Sequence, residues 1–274
     1  MYCSIVERYQ ITKTFMLYYK RIIYCLYFKD NFFYLSRNFR LQKVGDLNWL
    51  IKNFGFGSTT NYIDELMIVL VKKNPTNDDF NNYFKNVENL RKNIFIPIVL
   101  GGGINHLNIA KKFFESGADK ISINTACYEN KDSINEIADI YGSQAISIML
   151  DYKKTDNKVE LYSDCGTKFQ EINFAKHLKD MENLNCGEII LNSIDNDGNG
   201  AGLDIEILKY IKDDYSKPIL LMGGAGKPEH FSNILKNIKV SGAITANLFN
   251  FLGSGLNTAR KELIENKIDI VDFK

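Results

Sequence analysis

The sequence predicts an α/β protein, a (β/α)8 barrel built from two similar half-barrels. Short runs rich in β-branched residues alternate eight times with segments of helical period, which is the order expected of a parallel sheet with covering helices. Several strand-like runs are almost continuously apolar, as in strands that are buried on both faces. Two similar glycine turns, PIVLGGG at 97–103 and PILLMGG at 218–224, recur in the two halves of the chain. A repeat of this kind favours two half-barrels of four strand–helix units each.

The predicted strands are short apolar runs, in chain order Arg21–Phe28, Ile63–Val71, Ile96–Leu100, Lys120–Asn124, Ala145–Asp151, Glu188–Ser193, Pro218–Met222 and Gly242–Ala246. Between them, apolar residues recur at helical spacing in Asn105–Glu115, Ser133–Tyr141, Asn173–Leu184, Asp204–Ile211, Pro228–Ile238 and Thr258–Asn266. A dinucleotide-binding fold would also alternate in this way, but it needs a glycine-rich turn after its first strand. The run CLYFKDNFF at that place contains no glycine.

Composition and charge argue against several classes of function. The formal net charge of +1 gives no general basic excess for nucleic acid or a membrane surface, and no apolar run reaches the roughly 18 residues of a spanning helix. Five scattered cysteines without CxxC spacing are typical of free thiols in a reducing compartment, so we expect a cytoplasmic protein. The three histidines form no metal-binding motif. We therefore expect no metal and no cofactor.

The glycine turns predict anion-binding sites. In a barrel, the loops after the strands form the catalytic face, and glycine lets backbone N–H groups approach an anion. The first predicted socket combines the turn after the third strand with the end of the fourth: Gly102, Gly103, Asn124 and Thr125. The second combines the ends of the last three strands: Asp197, Gly198, Gly223, Gly224, Ala246 and Asn247. Two such sockets suit a ligand with a phosphate at each end, although tight turns also need glycine for purely structural reasons.

A carboxylate for acid–base chemistry is predicted at Asp151, which ends the fifth strand. After an apolar run, its pKa can be raised enough for general acid or base catalysis. A helix-capping or salt-bridged aspartate is the alternative. The first strand offers no second carboxylate, because it ends in Cys25–Phe28, and Asp30 beyond Lys29 is expected to be a loop residue.

The motifs RIIYCL, GGGI, GADKISINTA, YGSQ, GEIILNSIDNDGNGAGLD and GGAGKPEHF resemble the cyclase subunit of imidazole glycerol phosphate synthase, the HisF family. The resemblance runs from about Met16 to Lys274 and implies a single barrel domain over 16–274, with residues 1–15 as an extension outside it. It also implies a phosphorylated small-molecule substrate. A class I glutaminase (HisH-like) would form a heterodimer on the opposite face and deliver ammonia through the barrel. Of the family's two catalytic aspartates, one corresponds to Asp151.

Three positions of the mouth depart from that family. Tyr27 stands in place of the first catalytic aspartate, Leu35 in place of a loop lysine, and Leu70 in place of an inward aspartate of the second strand. A phenol with a pKa near about 10 cannot shuttle protons at neutral pH as a carboxylate does. The resemblance therefore predicts impaired cyclase activity.

The family's charged gate is complete. It corresponds to Arg21, Glu65, Lys120 and Glu188, each at the start of a predicted strand, where two cations and two anions can pair around the barrel axis. Four independent surface charges are the alternative. Asp119 and Gln144 match partner-facing positions of the family.

The run FYLSRNFRLQKVGDLNWL is similar to the HisF-like proteins of surface-sugar biosynthesis, the WbuZ-type branch. That similarity implies ammonia transfer to an N-acyl sugar, giving an acetamidino sugar with the help of a separate ATP-dependent sugar amidotransferase. One alternative is a working imidazole glycerol phosphate synthase cyclase, a lyase of histidine biosynthesis, with Tyr27 or Asp30 as a relocated acid. Another is a barrel isomerase of the related histidine-pathway type, which also needs the aspartate missing from the first strand.

Overall fold

The computed structural model describes residues 19–54, 60–92, 94–155, 158–247 and 254–271. The strands of this part are β1 (Arg21–Lys29), β2 (Phe32–Arg37), β3 (Arg40–Gly45), β4 (Glu65–Leu70), β5 (Ile98–Gly101), β6 (Lys120–Ile123), β7 (Ile146–Thr155), β8 (Lys158–Ser163), β9 (Lys168–Gln170), β10 (Glu188–Ser193), β11 (Ile219–Met222) and β12 (Val240–Thr245). The predicted extension at residues 1–15 lies outside the described residues.

Eight of these strands close into a parallel barrel in the order β1, β4, β5, β6, β7, β10, β11, β12. The ring is closed because β12 pairs with β1 and β10 pairs with β7, all in parallel. Each predicted strand overlaps one of these eight, so the predicted (β/α)8 barrel is confirmed. Parallel pairing places all eight carboxyl ends at one mouth of the barrel.

Two antiparallel hairpins extend the barrel beyond that mouth, and the sequence analysis missed both. β1 runs on into the hairpin of β2 and β3, and β7 runs on into β8 and β9. β1 and β7 are the first strands of the two sequence halves, so the hairpins occupy equivalent places. The tip of the first hairpin is a two-residue turn, Asn38 and Phe39, and both residues have positive φ.

Helices cover the outside of the barrel at Leu47–Phe54, Asn77–Arg91, Leu107–Glu115, Ala126–Glu129, Lys131–Tyr141, Phe174–Glu182, Pro228–Leu235 and Gly255–Glu265. Five of the six predicted helices are present with shifted ends. The sixth, predicted over Asp204–Ile211, is a 3-10 helix at Ile205–Tyr210. The helix Asn77–Arg91 was not predicted, although Thr76 and Asp79 form a capping box at its start.

The core has two layers, which explains the continuous apolar runs. Residues such as Leu26, Ile68 and Leu150 pack between the strands and the helices. The alternate residues point into the barrel and form a separate buried cluster of Ile23, Cys25, Tyr27, Met67, Val99, Met149, Ile190, Leu220, Met222 and Ile244. The barrel axis between its two ends is therefore lined mainly by apolar side chains. Within the described residues, no helix is long and apolar enough to cross a membrane.

Candidate active site and charged ring

Asp151 projects from β7 at the mouth of the barrel, where the strand leaves the interior. Its carboxylate accepts two hydrogen bonds of 2.8 Å, one from Asn124 Nδ2 and one from Asn192 Nδ2. Burial raises the pKa of Asp151 to about 7, and the negative charge of Asp197 raises it too, while the two amide donors oppose this shift. A carboxyl group with this pKa can take up or release a proton near neutral pH.

Tyr27 lies on β1 at the same end of the barrel interior and is also buried. Burial, together with the charges of Asp197 and Asp151, raises the pKa of its phenol well above the usual value. Tyr27 therefore remains neutral at physiological pH. Its hydroxyl group is buried and has no hydrogen-bond partner among the described residues. The geometry agrees with the argument that this side chain cannot act as a carboxylate does.

A cavity of about 850 Å³ opens above these two residues. The first predicted socket faces it, since Gly102, Gly103, Asn124 and Thr125 all line its wall. Gly102 has φ +111°, and a Cβ atom there would lie 2.2 Å from the carbonyl oxygen of Leu70. Only glycine fits at this close approach of backbones, so this turn is required by packing as well as suited to an anion.

The second predicted socket lies at the same mouth, after the carboxyl ends of β10, β11 and β12. None of its six residues is among the described residues that line the cavity. Asp197 accepts hydrogen bonds from Ser36 Oγ and from the backbone N–H of Phe39, both on the first hairpin. The backbone N–H of Asn38, at the tip of the hairpin, also donates a hydrogen bond of 2.9 Å to the backbone oxygen of Asp197. The first hairpin therefore covers Asp197 and Gly198. That the second set binds a phosphate stays a prediction.

Three further residues were expected near the mouth: Asp30, Leu35 and Leu70. Asp30 is an exposed turn residue that pairs with Lys72 at 3.1 Å, and it is not among the residues that line the cavity. Leu35 is half-buried and packs against the outer core. Leu70 is buried and lines the cavity. The cavity wall at β4 is therefore apolar.

The opposite end of the barrel carries the four charges that the sequence analysis grouped. Arg21 contacts Glu65 and Glu188 at 2.6 Å each, through different guanidinium nitrogens. Lys120 Nζ lies 2.9 Å from Glu65 and 3.4 Å from Glu188. The contacts close a ring of alternating sign around the axis. We call these four residues the charged ring.

The ring is mostly buried, and its charges stabilise each other. Burial alone would raise the pKa of Glu188, but the neighbouring charges of Arg21 and Lys120 lower it below the usual value. Burial would lower the pKa of Arg21, but the charges of Glu188 and Glu65 raise it. Ser147 on β7 adds a hydrogen bond of 2.6 Å to Glu188. Arg21 and Glu188 are therefore charged at neutral pH.

The two predicted partner-facing residues, Asp119 and Gln144, are exposed near the same end as the ring. Asp119 accepts a hydrogen bond of 2.8 Å from the backbone N–H of Ile98, which fixes its side chain next to β5. Gln144 lies in the 3-10 turn Ser143–Ala145 that precedes β7. Both positions leave the side chains accessible.

Sequence reasoning missed three side chains that shape these sites: Asn192, Ser36 and Ser147. Asn192 was detectable, because Glu188, Ile190 and Asn192 alternate along β10 and therefore share its inner face. Ser147 was detectable for the same reason, because Ser147, Met149 and Asp151 alternate along β7 and share its inner face. Ser36 had no such signal, since its partner Asp197 is distant in the chain.

Among the described residues, no group of three or more histidine, cysteine, aspartate or glutamate side chains could hold a metal ion. The fold and site define a class: a (β/α)8 barrel with one acid–base carboxylate at its mouth and a ring of paired charges at its other end.

Comparisons with known proteins agree with this class. The sequence profile of the family described as histidine biosynthesis protein matches residues 59–253. A protein of Parasynechococcus marenigrum, named provisionally as imidazole glycerol phosphate synthase subunit hisF2, is 37% identical over 89% of this chain and 90% of its own length. The HisF subunits of Natranaerobius thermophilus and Sulfurisphaera tokodaii are 32% and 33% identical, each over 92% of this chain and 98% of their own. The chain belongs to the HisF family of histidine biosynthesis proteins.

Proposed function

We propose that this chain is the ammonia-receiving subunit of a glutamine amidotransferase. A class I glutaminase docks on the end of the barrel that carries the charged ring, next to Asp119 and Gln144. Ammonia then crosses the ring and the barrel interior and reaches Asp151. The single observation that supports this most is the charged ring itself, closed around the axis at the opposite end from the carboxylate.

The barrel interior supports the choice of ammonia as cargo. Transfer of an ion through a wall of Ile23, Met67 and Ile190 would be costly, whereas a small neutral molecule has no charge to desolvate. A ring of fixed charges at the entrance can hold water and charged metabolites back. Ammonia is the small neutral nitrogen compound that a glutaminase releases.

At the mouth, Asp151 acts as the proton-transfer group. With a pKa of about 7 it can accept a proton from an attacking nitrogen and return it to a leaving group. Tyr27 is a neutral phenol and adds no second base. Chemistry that needs one acid–base group is therefore favoured over chemistry that needs two.

The finer proposal concerns the acceptor. The departures at Tyr27, Leu35 and Leu70 favour an acceptor other than the histidine-pathway substrate, and the similarity of residues 33–50 to the surface-sugar branch favours an N-acylated sugar. In this proposal a separate ATP-dependent amidotransferase activates the acyl group. The cyclase of histidine biosynthesis is the second candidate, favoured by the raised pKa of Asp151 and by the names of the relatives.

Two assays test the proposal. The purified barrel should bind a class I glutaminase from the same genome and increase its hydrolysis of glutamine, and Asp119→Arg should weaken both effects without unfolding the barrel. Failure to bind any such glutaminase would refute the docking proposal.

The second assay separates the acceptors. With ammonium chloride, the barrel should turn over the histidine-pathway cyclase substrate at least about 100-fold more slowly than an ordinary HisF, since a missing general acid or base costs roughly 10²–10⁴-fold. Turnover close to that of an ordinary HisF would favour the cyclase. Transfer of ¹⁵N from amide-labelled glutamine to an N-acetylated sugar, with ATP and the sugar amidotransferase, would favour the first reading.

A further inference from the structure

Asp64 fixes the place from which two members of the charged ring emerge. It directly precedes Glu65 at the start of β4, and its contact on β1 is Ile22, which directly follows Arg21. The backbone N–H of Asp64 donates to the carbonyl oxygen of Ile22 at 2.8 Å, and the Asp64 carboxylate accepts the backbone N–H of Ile22, also at 2.8 Å. These two hydrogen bonds set the level of β4 relative to β1. They therefore set the level of Glu65 relative to Arg21.

The same contact occurs beside a third member of the ring. Asp119 directly precedes Lys120 at the start of β6 and exchanges the equivalent two hydrogen bonds with Ile98 on β5, at 2.9 Å and 2.8 Å. Because the contact recurs at the residue before a ring member, we interpret it as a means of aligning neighbouring strands where ring side chains emerge.

The two aspartates differ in their surroundings. Asp119 is exposed, whereas Asp64 is buried together with Arg260 of the helix Gly255–Glu265. Two guanidinium nitrogens of Arg260 donate to the two carboxylate oxygens of Asp64, at 2.9 Å and 3.2 Å. A buried carboxylate needs a paired cation, and a bidentate arginine pair is strong and directional. Arg260 therefore fixes the carboxylate that holds Ile22.

Arg260 also connects this contact to the last described segment of the chain. It donates to the carbonyl oxygen of Tyr62 at 3.3 Å and to that of Val271. The neighbouring Ile270 forms a parallel bridge with Lys20, directly before Arg21. The guanidinium group thus joins the helix, the start of β4 and the segment beside the start of β1. It acts on the ring through Asp64 and the backbone of β1.

We propose that Asp64 and Arg260 are positioning residues for the charged ring. The pair keeps β1 and β4 level, so that Arg21 reaches Glu65 and Glu188 at the same time, and loss of the pair opens the ring on that side. This inference rests on the proposed function only in taking the ring as the entrance for ammonia.

The protonation of Glu188 reports the geometry of the ring, because the charges of Arg21 and Lys120 hold its pKa below the usual value. Carbon-13 NMR of labelled carboxyl groups in the full-length chain measures this pKa. Arg260→Lys keeps the positive charge but loses the two-nitrogen fork. We expect the pKa of Glu188 to rise in this variant, with a proton affinity at least about three-fold higher, because Arg21 moves away from the carboxylate.

Asp64→Asn separates positioning from simple electrostatics. It keeps an oxygen that can accept from Ile22 but loses the charge that pairs with Arg260. Removing a negative charge would by itself lower the pKa of Glu188, since a nearby anion disfavours ionisation of a carboxyl group. A positioning role predicts the opposite sign, a rise in the pKa of Glu188.

Glu262→Gln is the matched control on the same helix. Glu262 accepts a hydrogen bond from Ser232 of the preceding helix, so its loss loosens the packing of the helix away from Asp64. This variant should leave the pKa of Glu188 unchanged, even where Tm falls. A purely structural role for Arg260 would lower Tm in Arg260→Lys without moving the pKa of Glu188.

The inference is overturned if the folded variants Arg260→Lys and Asp64→Asn leave the pKa of Glu188 unchanged or lower it. It is also overturned if Glu262→Gln raises that pKa as much as they do. If Arg260→Lys does not fold, the sign of the change in Asp64→Asn decides. None of these measurements involves a glutaminase, so a glutaminase that fails to dock would refute the proposed function and leave this inference standing.

Discussion

Removing one charge from the ring should destabilise the whole barrel. In the variant Glu188→Gln, Arg21 and Lys120 would share Glu65 as their one remaining anion in the ring. Breaking a buried ion pair costs about 3–5 kcal/mol. The Arg21 and Lys120 side chains keep 18% and 21% of their surface exposed, so the lower value of about 3 kcal/mol applies. For a chain of this size that lowers Tm by roughly 6–12 °C.

Thermal unfolding measured at pH 7 tests this value, and Glu206→Gln is the matched control. Glu206 forms an ion pair with Lys209 on the surface, and both side chains are exposed. Loss of such a pair costs less than about 1 kcal/mol. The ring argument is refuted if the two variants melt alike.

The pH dependence gives a second check. Because the pKa of Glu188 is lowered in the folded chain, its contribution is present above about pH 4.5 and is lost in stronger acid.

Three other changes have defined outcomes. Burial raises the pKa of the Asp151 carboxyl group to about 7, so its ionisation destabilises the folded wild-type chain at pH 8 but not at pH 4. The effect of Asp151→Asn on the free energy of unfolding, relative to wild type, should therefore be more favourable at pH 8 than at pH 4 by on the order of 3 kcal/mol. Urea unfolding at both pH values measures this, and equal effects would contradict it. Tyr27→Phe should raise the free energy of unfolding by about 1 kcal/mol, since it removes a buried hydroxyl that has no partner among the described residues; a loss above about 1 kcal/mol would show a hidden hydrogen bond. Ser36→Ala should speed amide hydrogen exchange at Phe39 while Tm falls by no more than about 4 °C, and unchanged exchange would show that the contact to Asp197 does not hold the hairpin.

The barrel was predictable because its strands carry a strong local signal. Burial on both faces makes runs such as ISIML and PILLM nearly continuous in apolar residues, and eight such short runs recur between segments of helical period. The hairpin of β2 and β3 lacked a comparable signal. Its turn places Phe39 at φ +63°, a conformation in which sequence patterns lead one to expect glycine or asparagine.

The site was predictable in its residue types and less so in its arrangement. Asp151 and the first glycine turn follow from their positions at strand ends. The cover that the first hairpin forms over Asp197 depends on the hydrogen bond from Ser36, a contact between residues 161 apart in the chain. The charged ring came from resemblance to a family. Local pattern alone does not show that four strand-start charges will meet on one axis.

The pairing of the first and last described segments has a practical consequence. Lys20 and Ile270 form a parallel bridge, so the described chain enters and leaves the barrel side by side, at the end that holds Arg21. A fused protein joined directly at Lys20 or at Ile270 would therefore lie beside the surface on which a glutaminase is proposed to dock. Interaction assays should use an internal label on the far side, for example at the turn between β8 and β9. Negative results obtained with terminal fusions would otherwise be difficult to interpret.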